Sequence, residues 1–177
     1  GKTTFLKQLK LNCPKQMAVL APTGVAAINA GGTTIHSFFQ LPFAPFIPAN
    51  AGAGNDAIAN KQSLISRLRF NREKRELLQS LDLLVIDEIS MVRCDVLDAI
   101  DTVLRHFRNN NAPFGGLQML FIGDMYQLPP VVQDQEWQLL QDYYNGPFFF
   151  NSQVVEAQPP VYIELQTIYR QSDQQFI

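Results

Sequence analysis

Residues 83–92 read LLVIDEISMV, and this stretch decides the fold of the chain. Its four leading apolar residues predict a strand that is buried on both faces, as strands of a parallel sheet are. The strand ends in two carboxylates, Asp87 and Glu88. Because the ligands of open α/β sheets bind beyond the carboxyl ends of the strands, this pair marks the predicted site. One carboxylate can hold Mg²⁺ while the next activates water, as nucleotide hydrolysis requires. The alternative interpretation is a strand that ends at the surface in two solvated acids.

The first four residues, Gly1, Lys2, Thr3 and Thr4, match the end of the phosphate-binding pattern G-x-x-x-x-G-K-[ST]. In that pattern the lysine reaches the β- and γ-phosphates, the next hydroxyl binds Mg²⁺, and backbone N–H groups of the following helix hold the phosphates. The tetrapeptide alone is common, but together with an apolar strand that ends in Asp-Glu it indicates a nucleotide site. Because the chain opens inside this pattern, we expect a fragment that lacks the strand before Gly1.

Length and composition fit one globular α/β domain, since the chain has 177 residues, 46% hydrophobic and 17% charged. The net charge is −2, so any contact with DNA is expected to be local and not spread over a broad basic surface. The two cysteines, Cys13 and Cys94, have no metal-ligand spacing and fit small apolar fillers in a reducing compartment. No apolar run approaches the length that spans a membrane.

Strands alternate with helices along the chain, which predicts a doubly wound parallel sheet. We predict strands at residues 17–21, 83–86, 117–122 and 161–165, and helices at residues 3–11, 25–30, 61–81, 95–108 and 136–144. Residues 41–60 are rich in Pro, Ala, Gly and Asn and predict a loop, whereas the basic face of residues 61–81 is expected to be solvated.

Helical spacing also predicts which side chains are buried. In the first helix, Phe5, Leu6 and Leu9 are expected to point inward. In residues 95–108, the clearest amphipathic helix, the apolar side chains are expected to point inward. The polar side chains expected to face out are Asp98, Asp101 and Arg105.

Two further polar segments follow predicted strands. Gly123 and Asp124 open a turn that contains Gln127, and a glutamine there can hydrogen-bond both a γ-phosphate oxygen and the attacking water. Arg170 follows the strand predicted at 161–165, where its guanidinium can reach the γ-phosphate. Each residue alone is more often solvated than catalytic. Their order and their positions after strands favour a catalytic role.

With these segments in place, the sequence resembles the superfamily-one helicases, and more narrowly the Pif family of five-prime-to-three-prime DNA helicases. The motifs that carry the resemblance are GKTT (1–4), APTGVAA (21–27), TIHSFF (34–39), IDEISMV (86–92), GDMYQLPPV (123–131) and YRQSD (169–173). Residues 95–118, a predicted helix followed by PFGGLQ, resemble the signature of the Pif family. The resemblance covers essentially the whole chain. It implies a RecA-like P-loop NTPase domain over residues 1–177, with an insert at about 41–60 and without a second RecA-like domain.

The resemblance implies a role for each matching residue of the nucleotide site. ATP would be bound by Gly1, Lys2, Thr3, Thr4 and Asp87, and Mg²⁺ by Thr3 and Asp87. Glu88 would be the catalytic base, Gln127 the γ-phosphate sensor and Arg170 the arginine finger. The adenine-binding glutamine motif and the first half of the phosphate loop, which the family carries upstream, are absent from this sequence.

The resemblance also implies a track for single-stranded DNA on the opposite surface, formed by Pro22, Thr23, Gly24, Thr34 and His36. A histidine alone is more often a capped or core residue, and only the TIH motif favours a DNA contact for His36. His106 has no such context and is expected at the surface. Phe148, Phe149 and Phe150 predict core or interface packing, with base stacking as the alternative.

The implied function is an ATP-dependent motor that translocates on single-stranded DNA and unwinds forked duplex DNA. By analogy with the family it would be monomeric, independent of membranes, and active in DNA repair, recombination and telomere or genome maintenance. Its location would be the cytoplasm of a bacterium or the nucleus or mitochondrion of a eukaryote.

Three alternatives stay open. A RecD-like exonuclease subunit or a relaxase-associated helicase shares most of the motifs, and the PFGG segment argues against it. A DNA-binding module with a degenerate nucleotide site is expected to have lost one of the residues Asp87, Glu88, Gln127 and Arg170, and all are present. The third alternative is a switch ATPase that binds without translocating.

Overall fold

The computed structural model describes residues 1–48 and 58–165, and its main feature is a parallel four-stranded sheet. Within these ranges the strands are β1 (Met17–Ala21), β2 (Thr33–Thr34), β3 (Phe46–Ile47), β4 (Ala59–Asn60), β5 (Leu83–Ile86) and β6 (Gln118–Phe121). The main sheet has the order β2-β1-β5-β6, and β3 pairs with β4 in a small parallel sheet. The predicted parallel α/β architecture is therefore confirmed.

Helices cover both faces of the main sheet. They are α1 (Lys2–Asn12), α2 (Gly24–Ala30), α3 (Ile35–Phe39), α4 (Lys61–Arg67), α5 (Arg72–Ser80), α6 (Cys94–Arg108), α7 (Asp134–Leu140) and α8 (Gln153–Ala157). On one face, Leu6 of α1 and Ala30 of α2 pack in a small core. The larger core on the other face collects side chains from α3, α4, α5, α6 and α8. No described helix is long and apolar enough to cross a membrane.

Strand β5 lies in the interior of the molecule, and all four of its residues are buried. Leu84 and Ile86 belong to the larger core, whereas Leu83 and Val85 belong to the smaller one. Alternate side chains of a strand point to opposite faces, so this division shows that β5 is covered on both sides. Each such buried side chain contributes about 1.5–3 kcal/mol to folding. The strand predicted at residues 83–86 is confirmed at both ends.

The region predicted as one helix over residues 61–81 consists of two. Helix α4 ends at Arg67, and the Asn71 side chain accepts a hydrogen bond from the Lys74 N–H at 2.8 Å, which begins α5. An N-cap asparagine satisfies an amide that the helix itself leaves without a partner, so it favours a new helix start over continuation. In the loop predicted at 41–60, β3 and β4 are present, and residues 49–57 lie outside the described residues.

The prediction that Asp98 and Asp101 face out is wrong, because both are buried. Asp98 accepts the N–H groups of Gln153 and Val154 at 2.9 and 3.0 Å, at the start of α8. Asp101 accepts the Phe114 N–H at 2.6 Å. Helical periodicity separates polar from apolar faces, but these carboxylates have backbone amides from other segments as partners, which allows their burial.

Four further expectations need correction. Phe5 was expected to point inward but is 47% exposed, since Leu6 is the residue of α1 that is fully buried. The strand predicted at 117–122 is β6, which spans only Gln118–Phe121 and is partly buried at the edge of the described sheet. Residues 161–165 are exposed and form no strand, since no described strand pairs with them. The helix predicted at 136–144 is α7, which ends at Leu140.

Cys94 and Phe149 pack as predicted, whereas Phe150 is 43% exposed. Cys13 and Cys94 are free thiols, and burial raises the pKa of Cys94 to about 12, which suits an unreactive filler. Phe149 packs against the larger core, and the rings of Phe148 and Phe150 stack with centroids 5.2 Å apart. His106 is exposed.

Candidate nucleotide site and adjoining groove

The carboxyl ends of β1, β5 and β6 lie side by side at one edge of the sheet. The register pairs Leu20 with Ile86, and Ile86 with Phe121. The Asp87 N–H then donates to the Leu20 carbonyl at 2.8 Å, just past the end of β5. This register brings three polar segments together, namely Pro22 and Thr23 after β1, Asp87 and Glu88 after β5, and Gly123 and Asp124 after β6.

Lys2, in the first turn of α1, reaches the carboxylate pair. Its Nζ atom lies 3.9 Å from Glu88 Oε2, a separation too long for a hydrogen bond. The atom is buried and has no hydrogen-bond partner among residues 1–48 and 58–165. A buried ammonium without a hydrogen bond is costly, so the position fits an anionic ligand such as the phosphates of a nucleotide.

Thr3 and Asp87, the predicted Mg²⁺ ligands, directly follow Lys2 and precede Glu88, respectively, in the sequence, and their pairing around an ion stays a prediction. The Asp87 carboxylate accepts the Glu88 N–H at 3.0 Å through Oδ1. The described part of the chain holds no group of three or more His, Cys, Asp or Glu side chains that could bind a metal ion. One hydroxyl and one carboxylate fit Mg²⁺ that is bound mainly through substrate phosphates and water, which is the usual arrangement for this ion.

Glu88 has a left-handed backbone conformation, with φ 52° and ψ 46°. The next residue, Ile89, donates its N–H to the Ile122 carbonyl at 2.9 Å. This turn directs Glu88 towards Lys2 and away from the sheet. A non-glycine residue in this region carries strain of about 1–3 kcal/mol, and such strain clusters at functional sites.

Gln127 lies in an exposed turn after β6 and is held by Asp124. The Gln127 Nε2 group donates to Asp124 Oδ2 at 2.8 Å, and the Tyr126 N–H donates to Asp124 Oδ1 at 3.1 Å. These two hydrogen bonds, together with the charge of Lys2, lower the pKa of Asp124. The turn thus follows β6 at the same edge of the sheet as Asp87 and Glu88, with Gln127 tied to Asp124. The sensor role of Gln127 stays a prediction.

Arg170 and its YRQSD motif lie outside the described residues. The arginine-finger role therefore stays a prediction.

A groove of about 390 Å³ adjoins the end of β1. Pro22, Thr23 and His36 line it together, so three of the five residues assigned to the DNA track are neighbours. The Thr23 side chain accepts the Ala26 N–H at 3.2 Å and so caps α2. The Thr34 side chain likewise accepts the Ser37 N–H at 3.2 Å and caps α3, which accounts for this threonine without a ligand. Gly24 is exposed, and a Cβ atom there would meet nothing within 4 Å.

Phe43 lines the same groove and was missed by the sequence analysis. Its ring is 86% exposed and stacks on the half-buried ring of His36, with centroids 5.1 Å apart and planes 15° apart. His36 is therefore not a core histidine. Burial, reinforced by the charge of Arg93, lowers the pKa of His36. The available signal was an aromatic residue between two prolines of the loop that follows TIHSFF.

Arg93, Asp95 and Glu136 form an ion-pair network in the wall of the groove, and the sequence analysis missed all three. Two nitrogens of Arg93 donate to Asp95 at 2.8 and 2.6 Å, and a third donates to Glu136 at 2.9 Å. Burial alone would lower the pKa of Arg93, but these hydrogen bonds outweigh it and the pKa is raised. The Phe46 N–H also donates to Asp95 at 3.0 Å, so the network fixes the segment that follows Phe43.

A parallel α/β sheet whose central strand ends in Asp-Glu beside a helix-start lysine defines the class of RecA-like P-loop domains. Within that class, the family model described as PIF1-like helicase matches residues 1–175. The chain belongs to the PIF1-like helicase family.

Known proteins resemble the chain in sequence and in structure. The ATP-dependent DNA helicase PIF1 of Candida albicans is 36% identical over 98% of this chain, which spans 18% of that protein. A structure of two coordinating Pif1 helicases at forked double-stranded DNA matches with a TM-score of 0.86 at 46% identity, covering 99% of this chain and 39% of that one. A crystal structure of Pif1 helicase from Bacteroides in complex with ADP-AlF3 and ssDNA matches with the same TM-score at 45% identity, covering 99% and 38%.

Proposed function

We propose that this chain is the ATP-hydrolysing RecA-like half of a DNA helicase motor. The observation that carries the proposal is the buried Lys2 ammonium, which has no hydrogen-bond partner among the described residues and lies 3.9 Å from Glu88. A phosphate beside Lys2 would supply the missing acceptors. The family membership of the chain and the Bacteroides complex with a nucleotide analogue and ssDNA support the same proposal.

The residues divide the work of hydrolysis between them. Lys2 binds the β- and γ-phosphates, and backbone N–H groups at the start of α1 hold them in place. Thr3 and Asp87 hold Mg²⁺, which neutralises charge on the phosphates when it is bound. Glu88 accepts the proton of the attacking water, and Gln127 senses the γ-phosphate. Arg170, which is not among the described residues, acts as the arginine finger.

Single-stranded DNA binds along the groove lined by Pro22, Thr23 and His36. Hydrolysis at the nucleotide site and DNA in the adjoining groove would then couple ATP turnover to movement along the strand. In the full-length protein this movement unwinds forked duplex DNA in the five-prime-to-three-prime direction. Roles in repair, recombination and genome maintenance follow from the family resemblance.

The test is a Glu88→Gln variant of the full-length protein. The amide keeps the size of the side chain but cannot accept the water proton, so we expect ATP and DNA binding to persist. DNA-stimulated ATP turnover should fall about 10²–10⁴-fold, the usual contribution of a general base. Glu76→Gln, which changes an exposed carboxylate on α5, is the matched control and should retain wild-type turnover. Near-normal turnover in Glu88→Gln would remove this residue from the mechanism.

A further inference from the structure

Phe43 presents an aromatic ring to solvent at the groove, and no other described side chain covers most of it. The ring is 86% exposed although phenylalanine is among the most apolar residues. Its plane is nearly parallel to that of His36, at 15° and with centroids 5.1 Å apart. The imidazole of His36 covers part of one face of the Phe43 ring and leaves the other face open to solvent. A flat apolar surface of this kind suits a flat apolar ligand.

The charges of the groove select against a phosphate at this position. The ionic side chains that line it are Arg93, Asp95 and Glu136, one cation between two carboxylates. The guanidinium is already bound to both carboxylates and has no excess charge to offer an anion. A nucleotide strand entering here is therefore expected to turn its bases, which are uncharged, towards the groove and its phosphates away.

The backbone on either side of Phe43 is also constrained before any ligand arrives. Phe43 follows Pro42, whose φ is fixed, and the segment that continues from it is anchored where the Phe46 N–H donates to the buried carboxylate of Asp95 at 3.0 Å. A stacking surface that is already ordered loses little entropy when a base binds.

We propose that Phe43 is a base-stacking residue, whose open face receives one nucleobase of a single strand while His36 supports the ring from behind. The inference rests on the proposed function, because Pro22 and Thr23 in the same groove belong to the proposed DNA track. Every base has a flat face, so the contact is independent of sequence. In this arrangement His36 is a positioning residue and acts on DNA through Phe43.

The experiment measures the affinity of the full-length protein for a labelled oligothymidylate without nucleotide. Phe43→Ala should bind about 5- to 100-fold more weakly, the range for loss of one stacked base. Phe43→Trp should retain affinity, and Phe43→Leu, apolar but not flat, should resemble Phe43→Ala. Phe150→Ala is the matched control, because Phe150 also belongs to a stacked pair and is 43% exposed, but does not line the groove. Its affinity should equal that of wild type.

A strand with one abasic site, moved along the sequence, identifies the base. At one position the wild type should lose as much affinity as Phe43→Ala loses on the intact strand, and Phe43→Ala should lose nothing more. If the two losses add at every position, Phe43 contacts no base and the proposal is wrong. His36→Ala combined with Phe43→Ala should bind no more weakly than Phe43→Ala alone, and a further loss would show that His36 contacts DNA directly.

The wild-type protein separates this proposal from the proposed function. If it neither binds single-stranded DNA nor shows DNA-stimulated ATPase activity, the proposed function fails. If it does both and Phe43→Ala matches it, only the stacking proposal fails. Because Phe43 is mostly exposed, its variants should unfold at the wild-type temperature, and a lowered temperature would attribute the lost affinity to misfolding and overturn the assignment.

Discussion

At the residue scale, His36 shows how its surroundings set the charge of a group. Burial and the nearby Arg93 lower the pKa of His36 relative to its ordinary value, whereas Asp95 raises it by less. The neutral ring stacks on Phe43 without placing a second cation beside the guanidinium. The imidazole is therefore expected to be neutral in the groove near neutral pH.

A lowered pKa in the folded state has a defined effect on stability. The unfolded chain binds a proton at His36 near pH 6.5, about the value for a free imidazole, whereas the folded chain resists it. The contribution of this residue to the free energy of unfolding should thus be lost progressively as pH falls from about 6.5 towards the lower folded-state value. The free energy of unfolding of wild type and of His36→Phe is measured with denaturant at pH 7.5 and 5.5, about one unit above and below the pKa of a free imidazole. The difference between the two proteins isolates the effect. If the wild type gains stability relative to the variant on acidification, the sign is wrong.

At the element scale, α6 carries buried carboxylates that hold other segments. Asp98 accepts two N–H groups at the start of α8, and Asp101 accepts the Phe114 N–H. Gly115, the next residue, has a φ of 63°, and a Cβ atom there would lie 2.6 Å from the Leu104 carbonyl oxygen. The helix and the PFGG turn, which together resemble the family signature, thus pack as one structural unit.

The Asp98→Asn variant tests this interpretation. An asparagine offers one acceptor oxygen and turns an NH₂ group towards the second amide, so one buried N–H is left without a partner. We expect the free energy of unfolding to fall by about 1–3 kcal/mol, the cost of a buried unsatisfied group. Asp142→Asn, an exposed site in the turn after α7, should change it by less than about 0.5 kcal/mol. Equal stability of the two variants would show that Asp98 contributes nothing to folding.

The turn that contains Gln127 connects the nucleotide site to the groove. Asp124 lies at one end of the turn, just after β6, and Val131 lines the groove at the other, four residues beyond Gln127. Pro129 and Pro130 lie between them, and their fixed φ angles limit how much of a displacement the segment can absorb. Movement of Gln127 towards a γ-phosphate would break its hydrogen bond to Asp124 and shift Val131.

We therefore expect Gln127→Ala to uncouple the sites more than it weakens either. ATP and single-stranded DNA should each bind the full-length variant within several-fold of wild type, while DNA stimulation of the ATPase and unwinding are both lost. The measurement is the ratio of DNA-stimulated to basal ATPase activity in the same preparation. Gln138→Ala, on the exposed side of α7, is the control. A wild-type ratio in Gln127→Ala would make Gln127 a structural turn residue.

The elements differ in how far the sequence predicts them. The apolar run of β5 and the periodicity of α6 are local signals, so the strand was placed at both ends and the helix to within one residue. The burial of Asp98 depends on backbone amides 55 and 56 residues away in the sequence. The helical periodicity of α6 carries no information about such distant partners. Phe43 was missed for a different reason, since it lies in a Pro-rich loop without periodicity and its stacking on His36 depends on the path of that loop.

At the scale of the whole molecule, basic charge is clustered in one segment of the chain. Residues 61–76 carry six basic and two acidic side chains, whereas the chain as a whole has a net charge of −2. Some of this charge is bound within the fold: Lys74 lies 3.1 Å above the centre of the Phe38 ring, and burial lowers the pKa of Lys74 to about 8. The groove itself carries more acidic than basic side chains.

The salt dependence of DNA binding should therefore be shallow. Each neutralised phosphate of a single strand contributes about 0.7 to the slope of the logarithm of the binding constant against the logarithm of salt concentration. We expect a slope that corresponds to a few ion contacts, unchanged in Arg69→Gln and Arg72→Gln, whose side chains are exposed on the basic segment. A slope that implies on the order of ten contacts, reduced by either substitution, would place the DNA on that segment.

The carboxylates of α6 also bear on the order in which the molecule assembles. Asp95, Asp98 and Asp101 accept hydrogen bonds from amides 49, 55 and 13 residues away. Loop-closure entropy delays such distant contacts, whereas a helix of 15 residues forms locally and early. We therefore expect α6 to form before these segments dock, so that the contacts of Asp98 are made after the rate-limiting step. Loss of Asp98 should accordingly speed unfolding and leave the refolding rate nearly unchanged.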